Sequence, residues 1–179
     1  MRLFIGIPLP ERTKKNIYGI VSKYKGLENV KWVKKENLHI TLKFLGEVHD
    51  NKVEKIISTI EQIDEFKKFT VKIKNIGSFP SQKSPKVIWI GVEEGNNLVR
   101  EINKRIEKRL KKEGFKEEKR FHPHITICRV KRYSEELNEL FKEKVTDSFE
   151  VCWFNLYQSI LQRQGPEYRV IKQFPLRLK

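Results

Sequence analysis

HITLKFLGE at residues 39–47 and HITICRV at residues 124–130 each open on His-Ile-Thr-aliphatic, and both read as β-strands. The chain has only four histidines, and two of them head these tetrapeptides, 85 positions apart. Side chains alternate along a strand, so His39 and Thr41 point to one face while Ile40 and Leu42 point to the other. His124 and Thr126 stand in the same relation to Ile125 and Ile127. Each motif therefore buries two aliphatic residues and displays an imidazole beside a hydroxyl. With this composition, chance alone predicts about 0.1 His-x-Thr pairs in the chain, so two strand-borne copies are a specific signal.

Around these strands the sequence alternates strand and helix patterns. A strand at 2–7 closes at Pro8 and Pro10, and helical spacing follows over 11–25. A short strand at 30–33 leads to the motif strand at 38–45, which stops at Gly46. Residues 51–66 form an amphipathic helix. Alternation at 69–79 and 86–92 predicts a hairpin, and 96–113 a basic helix ended by Gly114. The second motif strand spans 124–130, followed by a short helix at 134–144. Two long strands at 149–161 and 168–178 complete the chain, joined across QRQGPE. This order predicts an α+β protein, with antiparallel sheets and helices on their outer faces, over residues 1–179. Two parts of the chain each carry one motif, at 39–42 and 124–127, which suggests two lobes.

Composition narrows the function. With 38 Lys+Arg against 23 Asp+Glu, the net charge of +15 favours a polyanionic partner, nucleic acid first and a membrane surface second. The Lys/Glu-rich composition with a single Met is thermophile-like, which accounts for many charges but not for the positive surplus. No apolar run approaches the roughly 20 residues of a membrane span, and the N-terminal stretch lacks the features of a signal peptide. Cys128 and Cys152 are too few for a disulfide framework and lack metal spacing, which fits a cytoplasmic protein. A monomer is the default expectation.

Two His-x-Thr units facing one groove offer acid and base together, because imidazole titrates near neutrality. Phosphodiester cleavage asks for that pair, in line through phosphorus, with hydroxyls and cations on the non-bridging oxygens. By strand parity Lys43 shares the face of His39 and Thr41 and adds a fixed positive charge. His122 and His124 form a His-x-His, a possible metal pair, but no acidic or cysteine residue stands at ligand spacing. His122 is read as structural and His49 as solvated. No nucleophile-elbow motif supports a serine hydrolase. Trp32, Phe44, Trp89 and Tyr168 can stack a base, although core packing is the default for strand aromatics. Basic residues on the 96–113 helix, such as Arg105 and Lys108, can track phosphates or form its solvated face.

The paired motifs, with FLGE after the first and PHIT around the second, resemble the two-histidine phosphoesterase superfamily. The branch is that of bacterial and archaeal RNA 2′,3′-cyclic phosphodiesterases, historically 2′-5′ RNA ligases. The segments MRLFIGIPLP, KVIWIGV and LYQSILQRQGPEY extend the resemblance over nearly the whole chain. It implies a bilobal, pseudo-twofold α+β fold with a central cleft, and hydrolysis of a terminal cyclic phosphate on RNA to a 2′-phosphomonoester without metal or cofactor. It further implies that His39 protonates the 3′-oxygen leaving group, that His124 activates water, and that Thr41 and Thr126 hold phosphate oxygens. Arg129 matches a basic residue placed just after the second motif. Strict alternation puts Arg129 on the opposite face from His124, so it reaches the phosphate only if the strand bulges or twists near Cys128. Ligation through a 2′-5′ bond, hydrolysis of other cyclic or 2′-5′ phosphodiesters, and capture of RNA ends without catalysis stay open at this level.

Overall fold

The computed structural model describes residues 1–179. Its strands are β1 (Arg2–Pro8), β2 (Val30–Trp32), β3 (His39–Glu47), β4 (Phe69–Pro80), β5 (Pro85–Val92), β6 (His124–Val130), β7 (Thr146–Val151), β8 (Trp153–Gln162) and β9 (Gly165–Pro175). The helices are α1 (Glu11–Val21), α2 (Val53–Glu61), α3 (Asn96–Lys111) and α4 (Leu137–Lys142). The helices are shorter than their apolar periodicity suggests, by two residues for α3 and more for α2, where residues 50–52 form a 3₁₀ turn.

The strands make one sheet in the order β7-β4-β5-β6-β3-β1-β8-β9, with β2 added to β6. It divides into two halves, β7-β4-β5-β6 and β3-β1-β8-β9, each holding one His-x-Thr strand at its inner edge. Apart from an isolated bridge between Lys67, ahead of β4, and Arg177, after β9, the halves touch through one backbone pair, Ile40 with Ile125. These residues occupy the same place in the two tetrapeptides, so a pseudo-twofold axis passes between them. Along its far half β6 pairs with β2 instead, Val30 to Trp32 against Val130 to Cys128. The sheet therefore parts beyond the Ile40–Ile125 contact, and that parting is the cleft.

The run read as one strand over 149–161 is two. Burial alternates on Phe149 and Val151 but is continuous from Phe154 to Tyr157, so the alternation breaks in a slip at Cys152 and Trp153. The slip lets the chain leave β4, which β7 borders, and join β1 as β8 in the other half.

A β-bulge in each motif strand disrupts the parity on which Lys43 was placed. Ile5 pairs with Lys43 but Gly6 with Thr41, and in the other half Ile88 pairs with Cys128 but Trp89 with Thr126. Leu42 and Ile127 are skipped, and the two side chains that follow each of them change face. Lys43 is thereby buried at 4% exposure instead of facing the cleft. Its ammonium donates to both Glu107 carboxylate oxygens (2.9 and 2.8 Å) and to the Lys116 carbonyl at 2.9 Å. Asn103 of the same helix, α3, donates to the Leu42 carbonyl at 2.8 Å. A helix from one half thus backs the motif strand of the other. At the opposite side α1 is tied to β7 by Arg12 and Asn16 donating to Asp147 (2.7 and 3.0 Å).

The Lys43–Glu107 pair is desolvated on both sides, with side chains 2% and 5% exposed. Removing one partner leaves the other charged and unpaired, which costs about 3–5 kcal/mol, whereas replacing both by apolar groups costs far less. Chemical denaturation of Glu107→Ala is expected to show a loss of about that size, with most of it recovered in the Lys43→Met/Glu107→Leu double variant.

Candidate active site

β3 and β6 run antiparallel through the Ile40–Ile125 pair, so His39 lies across from Thr126 and Thr41 across from His124. The four side chains share the face opposite the buried isoleucines, and the two strands carry the same succession of buried and exposed positions. The bulges then turn Phe44 and Arg129 to that face. Phe44 is 67% exposed, propped on Phe4 with ring centroids 6.1 Å apart. Parity had excluded Arg129 and admitted Lys43. The bulge reverses both, bringing Arg129 to the cleft and taking Lys43 away from it.

Each imidazole is oriented by a carbonyl two residues upstream. Nδ1 of His39 lies 2.6 Å from the Asn37 carbonyl, and Nδ1 of His124 lies 2.5 Å from the His122 carbonyl. A carbonyl only accepts, so Nδ1 carries hydrogen in both rings and Nε2 is the atom that gains or loses a proton. Nε2 of His39 is 2.7 Å from the Thr41 hydroxyl.

Packing holds the rings in these positions. His39 rests against Phe4 (4.9 Å) and the edge of Tyr168 (5.5 Å). A Cβ on Gly6 would come within 3.1 Å of the His39 ring and of the Ile40 carbonyl, so a side chain there would push the imidazole out of place. His124 meets Phe79 edge-on at 5.1 Å and lies 6.2 Å from Trp89, whose own ring covers Gly77 where a Cβ would sit 2.4 Å from it. His122 stacks near Trp89 at 4.8 Å. No cluster of three or more metal-ligating side chains is present, and His122 is seated by aromatic contact.

Burial lowers the pKa of both motif histidines. His39 falls from 6.5 to about 4 through desolvation, which outweighs the stabilising Asn37 carbonyl, with the cationic form of His124 and Lys14 adding repulsion. His124 is lowered by burial too, aided by His122 and Arg129 and opposed by the His122 carbonyl. At neutral pH the empty site therefore holds two neutral imidazoles, each presenting an Nε2 lone pair. An anion between them favours imidazolium, so anion binding is coupled to proton uptake.

Leading away from this centre is a cleft of about 450 Å³, lined by His39, Thr41 and Thr126 and by four cations, Arg2, Lys31, Lys34 and Arg129. No Asp or Glu lines it. The basic face of α3 lies elsewhere, because α3 packs behind β3, and its cations meet Glu65, Gln62 and Glu117. Trp32 and Tyr168 also border the cleft, whereas Trp89 backs His124.

A two-halved antiparallel sheet that brings one His-x-Thr strand from each half to a shared cleft is the architecture of a two-histidine phosphoesterase. The chain belongs to the LigT-like phosphoesterase family, whose model matches it twice, over residues 7–89 and 90–168. Each match contains one His-x-Thr strand, β3 in the first and β6 in the second. An RNA 2′,3′-cyclic phosphodiesterase of Methanocaldococcus jannaschii is 41% identical over 179 residues, covering 97% of this chain and 100% of its own. One from Archaeoglobus fulgidus is 39% identical over 177 residues, covering 97% and 99%. The crystal structure of E. coli LigT complexed with 3′-AMP superposes with a TM-score of 0.81 at 27% identity, covering 98% and 97% of the two chains. No helix is long and apolar enough to cross a membrane.

The lowered His39 pKa has a measurable consequence. The folded protein favours the neutral ring, so this contribution to stability is complete above the unfolded value of 6.5 and is lost as pH falls towards 4. Between pH 7 and pH 4.5, wild type is expected to lose about 2 kcal/mol more than His39→Asn, read from urea midpoints. Adding inorganic phosphate should move the His39 NMR titration midpoint upward.

Proposed function

We propose that the chain hydrolyses a terminal 2′,3′-cyclic phosphate on RNA to a 2′-phosphomonoester, with His39 as acid and His124 as base and without a metal ion. The activity named for the Methanocaldococcus and Archaeoglobus relatives supports the substrate, and the 3′-AMP bound by E. coli LigT supports a nucleotide-sized cleft. The observation that carries the division of roles is that His39 lines the cleft and His124 does not, although aromatic rings pack against both.

In-line displacement puts the attacking water and the leaving oxygen on opposite sides of phosphorus. The leaving 3′-oxygen stays attached to the ribose, so it belongs on the side with room for the RNA. That side is His39's. Nε2 of His124 then accepts a proton from water as its oxygen bonds to phosphorus. The P–O3′ bond breaks, and Nε2–H of His39 delivers its proton to the 3′-oxygen. Phosphate remains on the 2′-oxygen and a 3′-hydroxyl is released. The anionic diester raises the His39 pKa on binding and supplies the protonated acid that the empty site lacks at neutral pH. The Thr41 and Thr126 hydroxyls and the Arg129 guanidinium serve the non-bridging oxygens.

The test is a short RNA ending in a 2′,3′-cyclic phosphate, incubated in excess EDTA, with the position of the product phosphate determined. A 2′-phosphate is expected, with His39→Ala and His124→Ala each at least about 10²-fold slower. A 3′-phosphate would exchange the leaving oxygen and sink the role assignment, and loss of activity in EDTA would sink the metal-free mechanism. On bis-p-nitrophenyl phosphate, whose leaving group needs no proton, the His39→Ala defect should shrink while that of His124→Ala persists.

A further inference from the structure

The cleft does not end at the catalytic centre. At the tip of the β8–β9 hairpin, Asn37 donates to the Pro166 carbonyl at 2.8 Å, and Gly165 faces the Lys34 side chain. Against this contact lies a second hollow of about 560 Å³, which shares Lys34, Asn37, Gln164, Pro166 and Tyr168 with the cleft and adds Arg163. Its two carboxylates are Glu36 and Glu167, and Glu167 is engaged by Arg169 and Gln162 (3.1 Å each). Lys34 thus borders both spaces. Lys31 pairs with Arg129 in the β2–β6 ladder, next to the centre.

Charge is distributed unevenly over the molecule. Some surface cations elsewhere are paired with carboxylates, as in Arg12–Asp147, Arg105–Glu65 and Arg177–Asp64. In the cleft, four cations converge with no carboxylate among the lining residues. One phosphate at the centre does not require all four. Thr41, Thr126 and Arg129 are assigned to it, while Lys31 and Lys34 extend the cationic lining along and beyond β2, from Arg129 towards the hairpin tip. Cations spaced along a groove beside the exposed apolar Leu161 (72% exposed) match a polyanionic strand with bases between its phosphates.

Resting on the function proposed above, we propose that the RNA leading to the cyclic phosphate runs as a single strand over Lys31 and Lys34 and passes the hairpin tip towards Arg163. Its upstream phosphates are held there, so the protein prefers an oligonucleotide 3′ end to a cyclic mononucleotide.

The experiment compares kcat/KM for a trinucleotide 2′,3′-cyclic phosphate and for a cyclic mononucleotide, in wild type and in Lys31→Ala/Lys34→Ala. The variant is expected to lose about 10-fold on the trinucleotide and less than about 2-fold on the mononucleotide. Its trinucleotide salt dependence, log(kcat/KM) against log[salt], should flatten by about 1.4, at roughly 0.7 per single-strand phosphate contact released. Equal losses on both substrates would mean that the lysines serve the reacting phosphate, and no loss on either would remove the track. Either result overturns the proposal. Should wild type hydrolyse neither substrate, the proposed function fails instead. Affinity for a trinucleotide 2′-phosphate, measured by calorimetry, then decides the track by itself: weaker binding by the variant supports it and unchanged binding overturns it.

Discussion

One backbone pair, Ile40 with Ile125, joins the two motif strands, and the site follows from it. Antiparallel pairing at that point, between equivalent residues of the two tetrapeptides, puts both histidines and both threonines on one face. A longer β3–β6 ladder would zip the halves together and fill the cleft with paired backbone. The diversion of β6 onto β2 prevents this, and leaves the strands free to part where a substrate must enter.

So small a contact cannot hold two half-sheets in register by itself. The halves are cross-tied behind the sheet, where α3 of one reaches β3 of the other through Lys43–Glu107 and Asn103–Leu42, and α1 reaches β7 through Asp147. Buried ion pairs contribute little net stability over apolar packing. What this one does is geometric: it locks the residue after the bulge on the helix side, which obliges the next residue, Phe44, to face the cleft. The sister bulge buries Cys128 and presents Arg129 in the same way. The two strands keep one backbone device and differ in the side chains it displays, so a symmetric frame carries an asymmetric site.

The proposed division of roles between two like histidines rests on that asymmetry. Both are desolvated, both donate Nδ1–H to a carbonyl two residues upstream, and both are held mainly neutral when the cleft is empty. Their place at the cleft distinguishes them: His39 lines the cationic space and His124 does not, while aromatic rings pack against both. In the proposed reaction the substrate's own negative charge supplies the protonation that the fold withholds.

Much of this was legible in the residues. Alternation of polar and aliphatic positions identified the motif strands, and strand parity put each His beside its Thr, because the period of two is a local property of extended backbone. The hairpin at β4–β5, the pairing of β8 with β9 and the α+β class were legible for the same reason. Parity failed past each threonine, two residues on at Lys43 and three on at Arg129, because a bulge is set by the neighbouring strand and leaves no mark in the periodicity of its own. The break at Cys152 was written as a slip in the burial pattern, but a continuous apolar run concealed it. The sequence by itself determined which side chains can do chemistry and which strands carry them. Only the tertiary structure decided that the two strands meet at one residue pair, which cations reach the cleft, and on which side of the phosphate there is room, because pairing, bulges and voids depend on segments far apart in the chain.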